Sequence, residues 1–174
     1  MSIPHEGNVN RARVMPQKPT LIASKSSTGK VFLFDYTKHS RNAEFDIDDN
    51  RHQRYECRPE ATLVGHDDSQ GFGLSWNPRD PGHLLSSDCG GKICLYDING
   101  CGSVVKPYLT FKGHRGEVCD VQWHCDNKNI FASVGADRGL VIWDSRIKVR
   151  RCICIGMSFE SSPPYRIPIR ALTT

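Results

Sequence analysis

One spacing recurs three times in this chain of 174 residues. Gly65-His66 opens a unit that closes at Asp97, 31 residues after the histidine. Gly113-His114 opens another that closes at Asp144, 30 residues on. A fainter copy runs from His5 to Asp35, again 30 residues. Each unit keeps one internal order. A first run ("VNRARVMP", "GFGLSW" to Trp76, "EVCDVQW" to Trp123) is followed by a second ("TLIAS", "HLLSS", "IFASV"). A tight polar turn comes next, then a third run ending on an aromatic residue and aspartate ("KVFLFD", "KICLYD", "GLVIWD"). A unit this short cannot bury its own apolar residues and must stack on its neighbours.

The runs are short, rich in Val, Ile, Leu and Phe, and bounded by Gly, Asp, Asn and Ser, which is strand composition with turn punctuation. The third runs are apolar on both faces: Ile93 and Leu95 oppose Cys94 and Tyr96, and Leu140 and Ile142 oppose Val141 and Trp143. Such a strand needs cover on both faces, and a stack of small sheets supplies it. "ATLVG" before His66 and "PYLTFKG" before His114 supply fourth strands; "KVRRCICIG" after the third unit is a weaker candidate. The chain divides into a degenerate first unit (1–35), a polar loop between units (36–60), a second unit (61–112), a third (113–146) and a tail outside the repeat (147–174).

These units resemble WD repeats, in which Gly-His and Trp-Asp mark one blade of a β-propeller. "HEGNVNRARVMPQKP", "FDYTKHS", "GFGLSWNP", "GHLLSSD" and "ICLYDI" run in order through about residues 4–146. Together they resemble the histone-binding WD-repeat family, which includes the retinoblastoma-binding histone chaperones and the small subunit of chromatin assembly factor. The resemblance implies an all-β propeller fragment of about three blades, each a four-stranded antiparallel sheet. Closed propellers have about 4–8 blades. An unclosed, truncated product is therefore expected, with open sheet faces that invite association.

Charge and cysteine content narrow the function classes. The net charge of +4 is uneven: residues 146–174 carry six basic side chains against Glu160, so the rest sums to −1. The basic tail is the one segment suited to weak nucleic-acid contact, and its bland reading is a solvated extension. Eight cysteines show no Cys-x-x-Cys pairing, and Cys152 and Cys154 are the one close pair. No metal site or cofactor is expected. Cys94 and Cys119 read as small buried or half-buried fillers. No apolar run approaches membrane-spanning length, and the N-terminus lacks a signal-peptide core, so an intracellular protein is the default.

Ser133, His114 and Asp137 could suggest a hydrolase. A triad needs an exposed serine, an oxyanion hole and a pocket, often with a Gly-x-Ser-x-Gly elbow. Ser133 lies instead in a run that reads as a buried strand, and the elbow motif is absent. The resemblance assigns the set to a structural clamp in which Trp143 donates to Ser133, Ser133 to His114, and His114 to Asp137. The second unit keeps His66 and Ser86, but Gly90 stands where aspartate is expected and Tyr96 replaces tryptophan. The first has His5 and Ser24, with Thr28 and Phe34 in the other two places. No enzymatic activity is expected.

The resemblance also implies a ring of acidic and polar side chains on one face that receives a basic histone tail. Its places here are Asn8, Asn10, Gln70, Phe72 and Cys119. Asn8, Gln70 and Cys119 stand where the family carries glutamate, so weakened tail binding is expected. The family's second histone site, an N-terminal helix with a late acidic-proline loop, has no counterpart in the sequence. Core histones and chromatin-complex subunits are the expected partners, without a small-molecule substrate or membrane. The expected location is the nucleus, with the cytoplasm as the alternative. The competing readings are a general WD scaffold, such as a ubiquitin-ligase adaptor, and a non-functional truncated product.

Overall fold

The computed structural model describes residues 2–39, 46–47, 53–54 and 57–147. Most of the tail, including the "KVRRCICIG" candidate strand, and most of the loop at 36–60 lie outside them. The repeat folds as three small sheets. Strands β1 (Val9–Met15), β2 (Lys18–Ser26) and β3 (Val31–Asp35) form the first hairpins, and Tyr36–Lys38 makes a 3-10 turn. β4 (Asp46–Ile47) and β5 (Gln53–Arg54) form a separate two-stranded ribbon. β6 (Ala61–Leu63) then returns to β3. The second sheet comprises β7 (Leu74–Trp76), β8 (His83–Ser87), β9 (Lys92–Asp97) and β11 (Leu109–Lys112). β10 (Val104–Val105) precedes β11, and the third sheet is β12 (Val118–Trp123), β13 (Ile130–Gly135) and β14 (Leu140–Asp144).

The sheets hold five, four and three strands, which corrects the expectation of four in each. In the first, β10 adds to β6 in parallel, with Val104 beside Thr62 and Val105 beside Leu63. The chain after β9 folds back across the outer edge because Val105 is buried there with Leu63. In the third, β14 has no strand on its outer edge among the described residues.

Register makes the units superimposable. Ser24 pairs with Phe32, Ser86 with Cys94, and Ser133 with Val141. The turn after each second strand closes with the same backbone bond: Ser26 N to Lys30 O, Asp88 N to Lys92 O, and Gly135 N to Gly139 O. Two apolar cores result, one at each junction between successive sheets. Ala23, Val31, Leu33 and Leu63 pack on Leu74, Trp76, Leu84, Cys94 and Tyr96. Leu85, Ile93, Leu95 and Phe111 pack on Val121, Trp123, Phe131, Val141 and Trp143. The two faces of β9 thus enter two different cores, as its double apolar pattern requires. Each such side chain, fully buried, contributes about 1.5–3 kcal/mol relative to exposure.

Candidate functional site

Polar side chains concentrate where the first strand of each unit begins. There the carbonyls of Asn8, Gln70 and Glu117 accept the amides of Ser27, Cys89 and Ala136 at 2.9, 2.8 and 2.9 Å. The three residues therefore occupy one register position in three sheets. Two residues on, β1 and β12 each carry an irregularity, between Val9 and Arg11 and between Val118 and Asp120. The extra residues are Asn10 and Cys119, and Phe72 stands at the matching place before Gly73, whose carbonyl accepts Ser87 N at 3.0 Å. A bulge re-aims the side chain it inserts. Cys119 is exposed for this reason, which corrects its reading as a buried or half-buried filler.

The five expected residues, joined by Glu117, thus line one rim, two per sheet: Asn8 and Asn10, Gln70 and Phe72, then Glu117 and Cys119. Glu117 is the rim residue that the sequence reading did not name. It puts a carboxylate at the register of Asn8 and Gln70, two residues before the one assigned to Cys119. The rim is stitched across sheets. Asn10 Nδ2 donates to Gly71 O at 3.1 Å, and Cys89 Sγ donates to Glu117 Oε1 at 3.4 Å. Burial and the Glu117 carboxylate push the Cys89 thiol up, so it stays a protonated donor. Phe72 is 37% exposed and offers the rim's apolar surface.

Beneath the rim lies the histidine of each unit. In the third unit Trp143 Nε1 donates to Ser133 Oγ at 2.8 Å. Ser133 Oγ lies 2.7 Å from His114 Nε2, and His114 Nδ1 lies 2.9 Å from Asp137 Oδ1. Every donor faces an acceptor if Ser133 donates to Nε2 and Nδ1 carries the proton. Asp137 also accepts the amides of Arg115 and Gly139. Burial raises its carboxyl, but those amides and His114 outweigh it and hold it below the ordinary carboxylate range. Ser133 is buried and engaged on both sides, so this geometry fixes the turn to β13 and β14.

The second unit corrects the sequence reading twice. It does have an aspartate for its histidine: Asp88 Oδ2 lies 2.7 Å from His66 Nδ1. By register Asp88 matches Gly135 and Gly90 matches Asp137, so the carboxylate arrives from the strand end and the glycine has moved to the turn. The expected His66, Ser86 and Tyr96 partial clamp does not connect. Among the described residues, Ser86 Oγ and His66 Nε2 are buried without a hydrogen-bond partner, and Tyr96 Oη donates to Val64 O at 3.1 Å. Burial lowers the His66 pKa, with Asp88 opposing. In the first unit His5 Nε2 keeps Ser24 Oγ at 2.8 Å and Nδ1 faces Gly7 O at 3.2 Å. Thr28 Oγ1 turns to Ser26 Oγ at 3.0 Å, and the Phe34 ring lies 6.0 Å from His5.

Among the described residues no His, Cys, Asp and Glu cluster could hold a metal ion, and no helix is long and apolar enough to cross a membrane. Stacked sheets with histidine clamps and a polar rim define a WD-repeat propeller fragment, and the WD domain, G-beta repeat family matches residues 105–144. The chain belongs to the WD-repeat family and is similar to its MSI-type members. It is 43% identical over 143 residues to the WD-40 repeat-containing protein MSI3 of Arabidopsis thaliana. That match covers 81% of this chain and 31% of the relative, so the chain spans about a third of the length of MSI3. Among solved structures it is similar to the β-propeller domain of Myceliophteria thermophila Cps50 (Swd1), with a TM-score of 0.68 and 19% identity over 90% of this chain and 42% of that one. It also matches a chain of the mitotic checkpoint complex, with a TM-score of 0.60 and 22% identity over 80% of this chain and 36% of that one. These two show the fold.

Proposed function

We propose that this chain is a non-enzymatic protein-interaction scaffold of the chromatin-associated, histone-binding type, acting in the nucleus. Its contact surface for a basic segment is the rim of Asn8, Asn10, Gln70, Phe72, Glu117 and Cys119. The observation that carries the reading is the repetition of two register positions across three sheets, each presenting polar or aromatic side chains to the same edge. Asparagine and glutamine offer acceptors to Lys and Arg without the charge that strengthens such bonds. Glu117 is the rim's remaining carboxylate at these positions. Binding of a basic tail is accordingly weaker than in a relative with a full set of carboxylates.

Titration of a fluorescent basic histone-tail peptide tests this. Asn8→Glu and Gln70→Glu should each tighten binding by roughly 1.5- to 5-fold, the range of a partly exposed ion pair. Glu117→Gln should weaken it by a similar factor. If none of the three changes affinity, the rim is not the contact. A scaffold that holds other proteins without touching histones is then the better reading, and partner capture from nuclear extract identifies them.

A further inference from the structure

Each sheet sets one turn residue against its rim. Ser27, Cys89 and Ala136 donate their amides to the carbonyls of Asn8, Gln70 and Glu117, so the three share a register position in the turn after the second strand. Their side chains differ in reach. Ser27 Oγ turns back into its own sheet and accepts the Asn8 amide at 3.0 Å. Ala136 has no polar side-chain atom to offer. Cys89 crosses to the next sheet, where its Sγ donates to Glu117 Oε1 at 3.4 Å. The two sheets are fixed to one another at this point. Val118 N donates to Asp88 O at 3.1 Å, and Ser87 Oγ donates to Val118 O at 3.1 Å. Asp88 and Val118 are the chain neighbours of Cys89 and Glu117, so the backbone at both ends of the thiol contact is held.

We infer that Cys89 is a positioning residue of the rim, holding the Glu117 carboxylate where a basic segment meets it. The inference rests on Glu117 being part of that contact. A glutamate side chain free in water samples several rotamers, and ordering it on binding costs affinity. A bond made before the ligand arrives removes part of that cost. The donor is neutral, because burial and the neighbouring carboxylate keep the thiol protonated. It therefore holds the carboxylate without cancelling its charge, which a lysine or arginine at the same place would do. Among the described residues no cationic side chain forms an ion pair with Glu117. A carboxylate accepts at about four lone-pair sites, so one thiol leaves the others for the ligand. Cys89 and Glu117 are each half-buried, which shields the bond from water while leaving the carboxylate within a ligand's reach.

The fluorescent basic histone-tail peptide, titrated against the 174-residue chain, provides the test. Cys89→Ala should weaken binding by roughly 2- to 10-fold, the range for ordering one flexible side chain. Cys89→Ser, which keeps a donor, should restore most of the affinity. The loss should vanish in a Glu117→Ala background, where there is no carboxylate to hold. The infrared S–H stretch of Cys89, taken as the difference between the unsubstituted chain and Cys89→Ala, should lie below that of an unbonded thiol. It should rise to the unbonded position when the same difference is taken in the Glu117→Ala background. A loss that persists undiminished in that background would make Cys89 a structural residue only and overturn the inference. So would an unchanged affinity for Cys89→Ala while Glu117→Ala weakens binding, or an S–H band at the unbonded position. If Glu117→Ala leaves affinity unchanged, the rim itself is not the contact, and the inference falls with that reading.

Discussion

His66 and His114 take their carboxylates from opposite ends of the same turn. In the third unit the aspartate comes from the turn, so the strand end must be small. A Cβ built on Gly135 would stand 2.5 Å from His114 Nδ1 and 2.8 Å from Asp137 Oδ1. In the second unit Asp88 occupies that strand end and Gly90 the turn. Asp137→Ala should cost about 1–3 kcal/mol in urea unfolding, because His114 Nδ1 and two backbone amides lose their acceptor. Asp88→Ala should cost a similar amount, as no other carboxylate bonds His66 among the described residues. Lys25 adds a pH dependence. It is buried at the first junction, donating to Gly29 O at 3.1 Å, and burial lowers its pKa from 10.5 to about 7, against the pull of Cys94, Asp88 and Cys89. Between about pH 7 and 10.5 the unfolded chain therefore holds a proton that the folded chain lacks. Stability rises with pH across that window. Lys25→Met should flatten the rise, read as urea midpoints at pH 7 and 10. The third clamp was legible because all four of its residues are present at the places the WD-repeat resemblance assigns them. Asp88 was not, because counting along the turn pointed to Gly90, and only the fold shows that a carboxylate two residues earlier reaches the same nitrogen.

At the level of strands and turns, the bulges decide where the proposed contact rim sits. Inserting Asn10 and Cys119 turns those side chains out to the rim while the strands beyond keep their pairing. Gly71 sets the height of the rim in the second sheet. A Cβ there would lie 2.0 Å from Ser87 O and 2.6 Å from Asp88 Cα, both backbone atoms that cannot swing away. Gly71→Ala should destabilise the protein by about 1–3 kcal/mol through overpacking. It should also displace the carbonyl that binds Asn10, which a loss of basic-peptide affinity would report. The succession of runs in each unit was readable from their short apolar composition and matched turns. β10 was not: two valines among Gly, Ser and Pro carry no period, and their pairing depends on Leu63 lying beneath them. Glu117 was missed for a related reason. Aligning on "DV" assigned the rim to Cys119, two residues past the register of Asn8 and Gln70, and so passed over the carboxylate at that register.

Across the whole molecule, stability is a sum over sheets and the junctions between them. Among the described residues the second sheet has two junctions, and the first and third have one each. The third depends on a single core in which Phe131 stacks on Trp143 at 5.8 Å between centroids and meets Trp123 at 5.4 Å. Trp123 Nε1 is buried there with no hydrogen-bond partner among the described residues, which weakens that core further. Local opening should follow this order, since segments with fewer buried neighbours open at lower free energy. Hydrogen exchange should therefore be faster in β13 and β14 than in β8 and β9. Uniform exchange across the three sheets would mean that they open as one unit. The additive picture would then fail.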